Sequence, residues 1–240
     1  MFETKLETRW FDAVRTRRSV RRYTAPPTDE QLSRLGALAR QLTWQGVRIT
    51  LLKGPGLRAA IRGTDVYAAI VATKETLGEQ EGYAGEALAL ECAAMGLGTC
   101  WLGGGFYKSV VRIAAKVKDN ERVKCVLSIG QCDPQNPAAP RRRKPLSKTC
   151  GMEDAQRAAL PAWQQSALDA AMLAPSAINR QPWRFVVAPG AVQVLEGGGN
   201  FGCGPIDRGI AMLHIAVGAM SAGTQGAWRQ VEKGWEFKAK

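Results

Sequence analysis

The sequence predicts an α+β protein that carries an internal duplication. Runs with apolar residues at helical spacing alternate with short strand-like runs along the 240 residues, and the order of these runs begins again after residue 150. Two pairs of stretches also repeat one another: RITLL (48–52) with RFVVA (184–188), and YAGEALALECAA (83–94) with DRGIAMLHIAVG (207–218). We therefore expect two half-units, residues 1–150 and 151–240, with antiparallel or mixed sheets covered by helices.

The first half-unit opens with a predicted helix over residues 5–15, which runs into the basic stretch RTRRSVRRY (15–23). After the break at PPTDEQ, Thr28 and Gln31 predict a capping box at the start of the next helix. The remaining predicted elements are strands at 47–53, 67–72 and 123–130 and helices at 82–95 and about 108–117.

A basic, proline-rich connector (131–150) without any periodicity leads to the second half-unit. There we expect a helix at 162–173, strands at 183–188 and 192–196, a helix from residue 207 to about 220, and a short last strand at WEF (235–237). Between the first of these helices and its strand stands APSAINRQPWRF (174–185). Its polar groups in a stiffened backbone are typical of a loop that holds donors and acceptors against a flat, polar-edged ligand.

The net charge of +12 predicts an anionic partner, which is a nucleic acid, a membrane surface or a phosphorylated cofactor. Six cysteines without a CxxC pair and a single histidine argue against a zinc site. The N-terminus has no apolar segment typical of a secretory signal, and no apolar run approaches the roughly 18 residues of a membrane span. We therefore expect a cytoplasmic protein with reduced thiols and no membrane partner.

Two basic clusters are candidates for the anion site. The first surrounds Ser19 in the segment 15–22, and the second precedes Pro145 at residues 141–144. A charge run is most often a solvated helix face, but arginine forks beside a hydroxyl also bind phosphate bidentately. No aromatic RNA-binding motif or helix-turn-helix pattern accompanies either cluster, so nucleic acid is the less favoured partner.

Three further features carry less information. GGGNFG (197–202) matches G-x-G-x-x-G, but no helix begins at its third glycine, and we interpret it as a flexible loop. His214 lies within an apolar stretch and is interpreted as a structural residue rather than a catalytic base. The glycines after Trp101 and Leu102 end a predicted strand and also expose backbone N–H groups to a ligand.

Four segments, RRSVRRY, GLGTCWLGG, RRRKPLS and APSAINRQPWRF, together resemble the FMN-dependent nitroreductase family. In that family the PSAxNxQPW loop follows soon after the RRS segment, whereas here it stands in the second half of the chain. Family members are homodimers that bind FMN at the subunit interface, with each subunit supplying one set of segments. The resemblance therefore implies a fused pseudo-dimer, belonging to a subgroup with two fused half-units, that forms one composite FMN site and is self-sufficient as a monomer.

The resemblance also implies the roles of individual residues. The phosphate, ribityl chain and pyrimidine edge of FMN are assigned to Arg17, Arg18, Ser19 and Arg21, with Arg141 and Arg143 completing the phosphate clamp. The ring is assigned to backbone N–H groups at Leu102, Gly103 and Gly104. The loop residues that reach in from the other half are Pro175, Ser176, Ala177 and Asn179, braced by Gln181, Pro182 and Trp183.

The implied activity is NADH- or NADPH-dependent reduction of a small electron acceptor, such as a nitroaromatic or a quinone, by a ping-pong mechanism. The chemistry would reside at flavin N5, with no catalytic side chain and no metal. Two alternatives stay open at this point: a flavin-binding storage, sensing or interaction protein with little turnover, and a basic nucleic-acid-binding protein. The physiological substrate and the choice between NADH and NADPH do not follow from the sequence.

Overall fold

A computed structural model describes residues 2, 4–43, 46–133, 135 and 142–240. The described residues form two compact units. We call residues 16–77 and 84–140 the central unit, and residues 1–15, 78–83 and 141–240 the C-terminal unit.

The central unit holds a four-stranded sheet whose neighbouring strands are all antiparallel, in the order β1-β2-β4-β3. The strand β2 is buried along nearly its whole length, which matches its continuous apolar run. Tyr67, Val71 and Val126 contribute to the core of this unit. Its elements are α2 (Asp29–Gln41), β1 (Val47–Lys53), β2 (Val66–Thr73), the greater part of α3 (Gly78–Ala94), β3 (Leu97–Leu102), α4 (Lys108–Ala114) and β4 (Glu121–Gln131).

The C-terminal unit holds a second antiparallel sheet, in the order β5-β6-β8-β7. The helix α8 is buried along nearly its whole length and packs against α7 and the sheet, which accounts for its apolar sequence. The elements are α1 (Trp10–Thr16, its last residue counted with the central unit), α5 (Leu146–Thr149), α6 (Asp154–Ala158), α7 (Ala162–Met172), a 3₁₀ turn (Ala177–Asn179), β5 (Trp183–Ala188), β6 (Ala191–Glu196), α8 (Gly204–Ser221), β7 (Gly226–Val231) and β8 (Gly234–Ala239).

The two sheets share one topology. In each, the strands taken in chain order lie in the spatial order first, second, fourth, third. A helix precedes the first strand of each sheet, α2 in one and α7 in the other, and a long helix, α3 or α8, connects the second strand to the third. The α+β class and the two similar halves are therefore confirmed, and both sheets are wholly antiparallel rather than mixed.

Local patterns in the sequence predicted most of the helices and strands. Thr28 Oγ1 accepts from Gln31 N at 3.2 Å and Gln31 Oε1 accepts from Thr28 N at 2.9 Å, so the predicted capping box is present. The first helix begins only at Trp10, and α3 begins four residues before the predicted start. The strand β7 was missed because its polar and charged residues give no apolar alternation.

The first turns of α3 and α8 approach one another so closely that side chains are excluded. A Cβ atom built on Gly82 would lie 2.0 Å from the carbonyl oxygen of Ile206, and one built on Gly209 would lie 2.0 Å from the carbonyl oxygen of Glu79. The two contacts are reciprocal, because each glycine meets the residue three positions before the other. The sequence repeat had aligned Gly85 with Gly209, but the equivalent glycine is Gly82; Gly85 instead makes room for the ring of Trp101.

We predict opposite effects of the same substitution at two helical glycines. Gly209→Ala places a methyl group against backbone that cannot move aside, and we expect a loss of about 1–3 kcal/mol in the free energy of unfolding. Gly36→Ala in α2 meets only the Arg40 guanidinium, at 3.7 Å, and should gain about 0.5–1 kcal/mol from helix propensity. Urea unfolding of both variants measures this, and a neutral or stabilising Gly209→Ala contradicts the close approach.

Candidate functional site

Apart from Arg15, which lies in the last turn of α1, the first arginine cluster is not on a helix. The helix α1 ends at Thr16, and the chain then runs beside the edge strand β3, where Ser19 pairs in parallel with Thr99 and Val20 N donates to Thr99 O at 2.9 Å. Two further backbone bonds, Arg62 N to Arg21 O and Tyr23 N to Arg62 O, join the segment to Arg62, which lies between β1 and β2. The backbone of the cluster is therefore fixed by the sheet of the central unit, and its side chains are presented from an extended segment.

The arginine side chains of this segment differ in their surroundings. Arg17 is buried, and its Nε lies 3.5 Å from Glu86 Oε1. Arg18 is half-buried, whereas Ser19 and Arg21 are exposed. A carboxylate therefore offsets part of the charge at position 17, while Arg18, Ser19 and Arg21 present cations and a hydroxyl to solvent.

Glu86 connects the arginine segment with the glycine-rich strand end. This fully buried residue of α3 accepts a hydrogen bond from Trp101 Nε1 at 2.7 Å through one carboxylate oxygen and faces Arg17 with the other. A buried charge persists only when it is paired and hydrogen-bonded, and Glu86 meets both conditions. Glu86 was not among the predicted site residues, although a carboxylate within a run of small apolar residues was the available signal.

The glycine-rich strand end is open to solvent. Leu102 is the last residue of β3 and is buried, while Gly103 and Gly104 beyond it are exposed. No described atom lies within 4 Å of a Cβ built on Gly104. The backbone N–H groups of this turn are therefore accessible to a ligand.

The loop that connects α7 to β5 holds strained backbone. Ile178, Asn179 and Gln181 have φ angles of 47°, 56° and 50°, in the left-handed region that residues other than glycine rarely adopt. Each such residue costs about 1–2 kcal/mol. A strained loop of this kind persists only where surrounding contacts hold it, and such loops concentrate at binding and active sites.

Side chains within the loop and from the basic connector hold this conformation. Ser176 Oγ accepts from Gln181 N at 2.8 Å, and Lys144 N donates to Gln181 Oε1 at 2.9 Å. Arg143 Nη1 donates to Asn179 Oδ1 at 2.9 Å, so Arg143 lies with the loop in the C-terminal unit, whereas Arg17, Arg18, Ser19 and Arg21 belong to the central unit. Arg141 lies outside the described residues.

The residues after the strained turn are buried and support the loop. Gln181, Pro182 and Trp183 are buried, as expected of bracing residues, and Pro182 O accepts from Gly197 N at 3.0 Å. Pro175 is buried as well, whereas Ser176 and Ala177 are half-buried and Asn179 is exposed. Asn179 is exposed although its amide is bonded on both sides, because its Oδ1 accepts from Arg143 and its Nδ2 donates to Arg142 O at 2.9 Å.

The glycine-rich stretch 197–202 belongs to the same site. Asn200 Nδ2 donates to Ala177 O at 3.1 Å and also to the carboxylate of Asp207, while Asp207 Oδ1 accepts from Ala177 N at 2.9 Å. Burial raises the pKa of the Asp207 carboxyl to about 7. The interpretation of 197–202 as a flexible loop overlooked these bonds, because nothing in the local sequence indicates that Asn200 reaches residue 177.

The single histidine of the chain has a structural role. His214 is fully buried, with Nδ1 2.9 Å from Ala170 O, in agreement with its interpretation as a structural residue.

The described part of the chain holds no group of three or more His, Cys, Asp or Glu residues suited to a metal ion. Among the described residues, no helix has the length and apolar character needed to cross a membrane.

One solved structure supports this architecture, and two others are less similar to the chain. A putative nitroreductase of Thermotoga maritima superposes with a TM-score of 0.71 at 20% identity, covering 95% of this chain and 93% of that one. A nitroreductase family protein of Clostridium difficile has a TM-score of 0.47 at 18% identity, over 60% of this chain and 96% of its own. An FMN-dependent nitroreductase of the same organism has a TM-score of 0.44 at 20% identity, over 53% and 90%. At these identities the Thermotoga structure establishes the fold alone.

No curated protein matches the chain. The family model described as "Putative TM nitroreductase" matches residues 10–219, which include the arginine segment, the strand end at Gly103 and the strained loop. With the fold and the family model in agreement over most of its length, the chain belongs to this nitroreductase family.

Proposed function

We propose that the protein is an FMN-dependent oxidoreductase that takes electrons from NADH or NADPH and reduces a small acceptor such as a nitroaromatic or a quinone. The observation that carries the proposal is the strained, multiply hydrogen-bonded loop, whose sequence matches the flavin loop of the nitroreductase family. Strain of this kind is retained where a precise ligand contact is needed. Membership of the family supports the oxidoreductase class.

The residues present fit an anionic flavin nucleotide. Arg18 and Arg21 supply cations beside the Ser19 hydroxyl, on a backbone held by sheet hydrogen bonds, and such a set is suited to a phosphate dianion. Gly103 and Gly104 expose N–H groups suited to carbonyl oxygens and nitrogens on the edge of a flat ring. Asn179 adds an exposed amide side chain, whose contact with a ligand would replace or share its bonds to Arg142 and Arg143.

The chemistry of the reaction is that of the flavin ring, which accepts hydride from a reduced nicotinamide and passes electrons to an acceptor. The task of the protein in this proposal is to bind and orient. Positive charge and N–H donors near the pyrimidine edge favour negative charge there, because preorganised dipoles need no rearrangement when charge develops. Arg21 and the N–H groups at Gly103 and Gly104 are the candidates for this role.

We further propose one FMN per chain, because each set of motif residues occurs once. The identical strand order of the two sheets and the reciprocal contacts of Gly82 and Gly209 support descent from a two-fold symmetric dimer. The division into half-units 1–150 and 151–240 belongs to this proposal. The compact units instead group residues 1–15, 78–83 and 141–150 with the second half-unit, since spatial packing need not follow the boundary of a duplication.

The proposal predicts about one FMN per chain and reduction of the bound flavin by NADH or NADPH under anaerobic conditions. Titration with FMN followed by flavin fluorescence gives the stoichiometry, and loss of the visible absorbance of the flavin reports its reduction. Two FMN per chain would contradict the single site. Bound FMN that neither nicotinamide reduces would contradict the oxidoreductase and favour a flavin-binding protein without turnover.

We predict that a methyl group at Gly104 interferes with the flavin and not with folding. The space around its Cβ position contains no described atom within 4 Å, so Gly104→Ala should leave the free energy of unfolding nearly unchanged. FMN affinity should fall by about tenfold, the equivalent of about 1.4 kcal/mol, because the added carbon separates the backbone from the ring. Gly36→Ala in α2, whose Cβ position meets only the Arg40 guanidinium at 3.7 Å, is the control, and equal affinities in the two variants would contradict the assignment of Gly104.

We predict that the arginine segment recognises the phosphate. The double variant Arg18→Gln/Arg21→Gln should lose FMN affinity by tenfold or more, because each charge-assisted hydrogen bond contributes about 1.5–3 kcal/mol. Riboflavin, which lacks the phosphate, should lose much less. Isothermal titration with both ligands measures the difference, Arg40→Gln on the exposed face of α2 is the control, and equal losses for FMN and riboflavin would contradict phosphate recognition.

A further inference from the structure

Two buried side chains hold the backbone of Ala177 from both sides. Asp207 Oδ1 accepts the N–H of Ala177 at 2.9 Å, and Asn200 Nδ2 donates to the carbonyl oxygen of the same residue at 3.1 Å. Asn200 also donates to the second carboxylate oxygen of Asp207. Both side chains are only 2% exposed, and the three groups form a closed network within the C-terminal unit.

This network holds the loop at the start of its strained turn. Ala177 directly precedes Ile178 and Asn179, the first two residues with positive φ, and directly follows Ser176. A chain released at Ala177 relaxes toward an unstrained conformation, because each residue that leaves the left-handed region loses its backbone strain. The conformation of the residues proposed to contact FMN therefore depends on the bonds at Ala177.

The anchors of the network are themselves rigid. Asp207 stands in the first turn of α8, where the helix dipole favours a carboxylate. The carbonyl oxygen of Asn200 accepts from Cys203 N at 2.8 Å, immediately before this helix. Because α8 is buried along nearly its whole length, the position of Asp207 is fixed, and so is the position of the Ala177 backbone bonded to it.

A buried carboxylate is a costly anchor. The groups that face Asp207 electrostatically are Cys203 and Arg208 on the α8 side, and Arg208 is paired with Glu79 of α3 at 2.8 Å. Desolvation outweighs the hydrogen bonds from Ala177 and Asn200 and is the reason why the pKa of Asp207 is raised to about 7. An apolar residue would avoid this cost, so the carboxylate at this position calls for a functional explanation.

We propose that Asp207 and Asn200 are positioning residues for the flavin loop, and that the carboxylate form of Asp207 is the one that holds Ser176 and Asn179 ready to bind. The assignment to flavin rests on the proposed function, whereas the dependence of the loop on Asp207 does not. The hydrogen bonds from Ala177 N and Asn200 Nδ2 favour the carboxylate form of Asp207 and lower its pKa against the effect of burial. A proton on Asp207 weakens one of these bonds, so the loop loosens as the pH falls through about 7.

The stability of the fold should follow the opposite trend. The folded-state pKa of Asp207 is raised above its ordinary value of 3.8, so the folded protein binds this proton more tightly than the unfolded chain does. The contribution of Asp207 to the free energy of unfolding therefore decreases as the pH rises from about 4 to about 7. Loop order and FMN affinity should increase over the upper part of this range, and the opposite signs separate a positioning role from a structural one.

The test compares Asp207→Asn with the unaltered protein. The new amide oxygen can accept from Ala177 N, but the new NH₂ group is a donor that faces the NH₂ donor of Asn200. FMN affinity at pH 8 should therefore fall about tenfold or more. The affinity should also lose its dependence on pH between about 6 and 8. The free energy of unfolding at pH 8 should be unchanged or higher, because the buried charge is gone. Unaltered FMN affinity, or a parallel loss of affinity and stability, would overturn the proposal.

A second measurement needs no flavin. Hydrogen exchange of the Ala177 amide in the flavin-free protein should be slow at pH 8, faster in Asp207→Asn, and faster in Asn200→Ala, which tests the network if the first variant does not fold. Asp169→Asn, at an exposed aspartate in the same unit, is the control. If the unaltered protein binds no FMN, the proposed function fails, and exchange at Ala177 still decides the role of Asp207; equal exchange rates in all four proteins would overturn it.

Discussion

The contact between the first turns of α3 and α8 depends on the absence of two side chains. Gly82 and Gly209 let backbone meet backbone at a distance that no Cβ atom permits. The same two helices carry two buried acids, Glu86 of α3 in the central unit and Asp207 of α8 in the C-terminal unit. Because a helix fixes the direction of each of its side chains, each acid is directed by its own helix within its own unit.

Each acid acts on a segment that resembles a flavin contact. Glu86 faces Arg17 with one oxygen and accepts from Trp101 with the other, so it ties the arginine segment to the strand end. Asp207 accepts from the N–H of Ala177 in the strained loop, and Asn200 donates to the carbonyl oxygen of the same residue. In both cases the acid is buried, where desolvation disfavours its charge, and its polar contacts fix the geometry of a segment.

The positive charge of the chain is divided among different tasks. Arg17 faces a buried carboxylate, Arg143 braces the loop through Asn179, and Arg208 pairs with Glu79. Arg21 remains exposed beside Ser19, and Arg18 is half-exposed. A count of charges along the sequence treats these arginines alike, whereas their surroundings separate those that hold the protein together from those able to meet an anion.

Much of the local structure and the family could be predicted from the sequence. Helical periodicity, the capping box at Thr28 and the apolar run of β2 depend on near neighbours in the chain, and the four flavin-like segments are contiguous strings that can be read directly. The tertiary structure alone decided the roles of Glu86, Asn200 and Asp207, the partner of Arg143, and the choice of Gly82 over Gly85 as the counterpart of Gly209. These are contacts between residues far apart in the chain, and no local pattern encodes them, because a side chain's partner is set by how whole helices and strands pack.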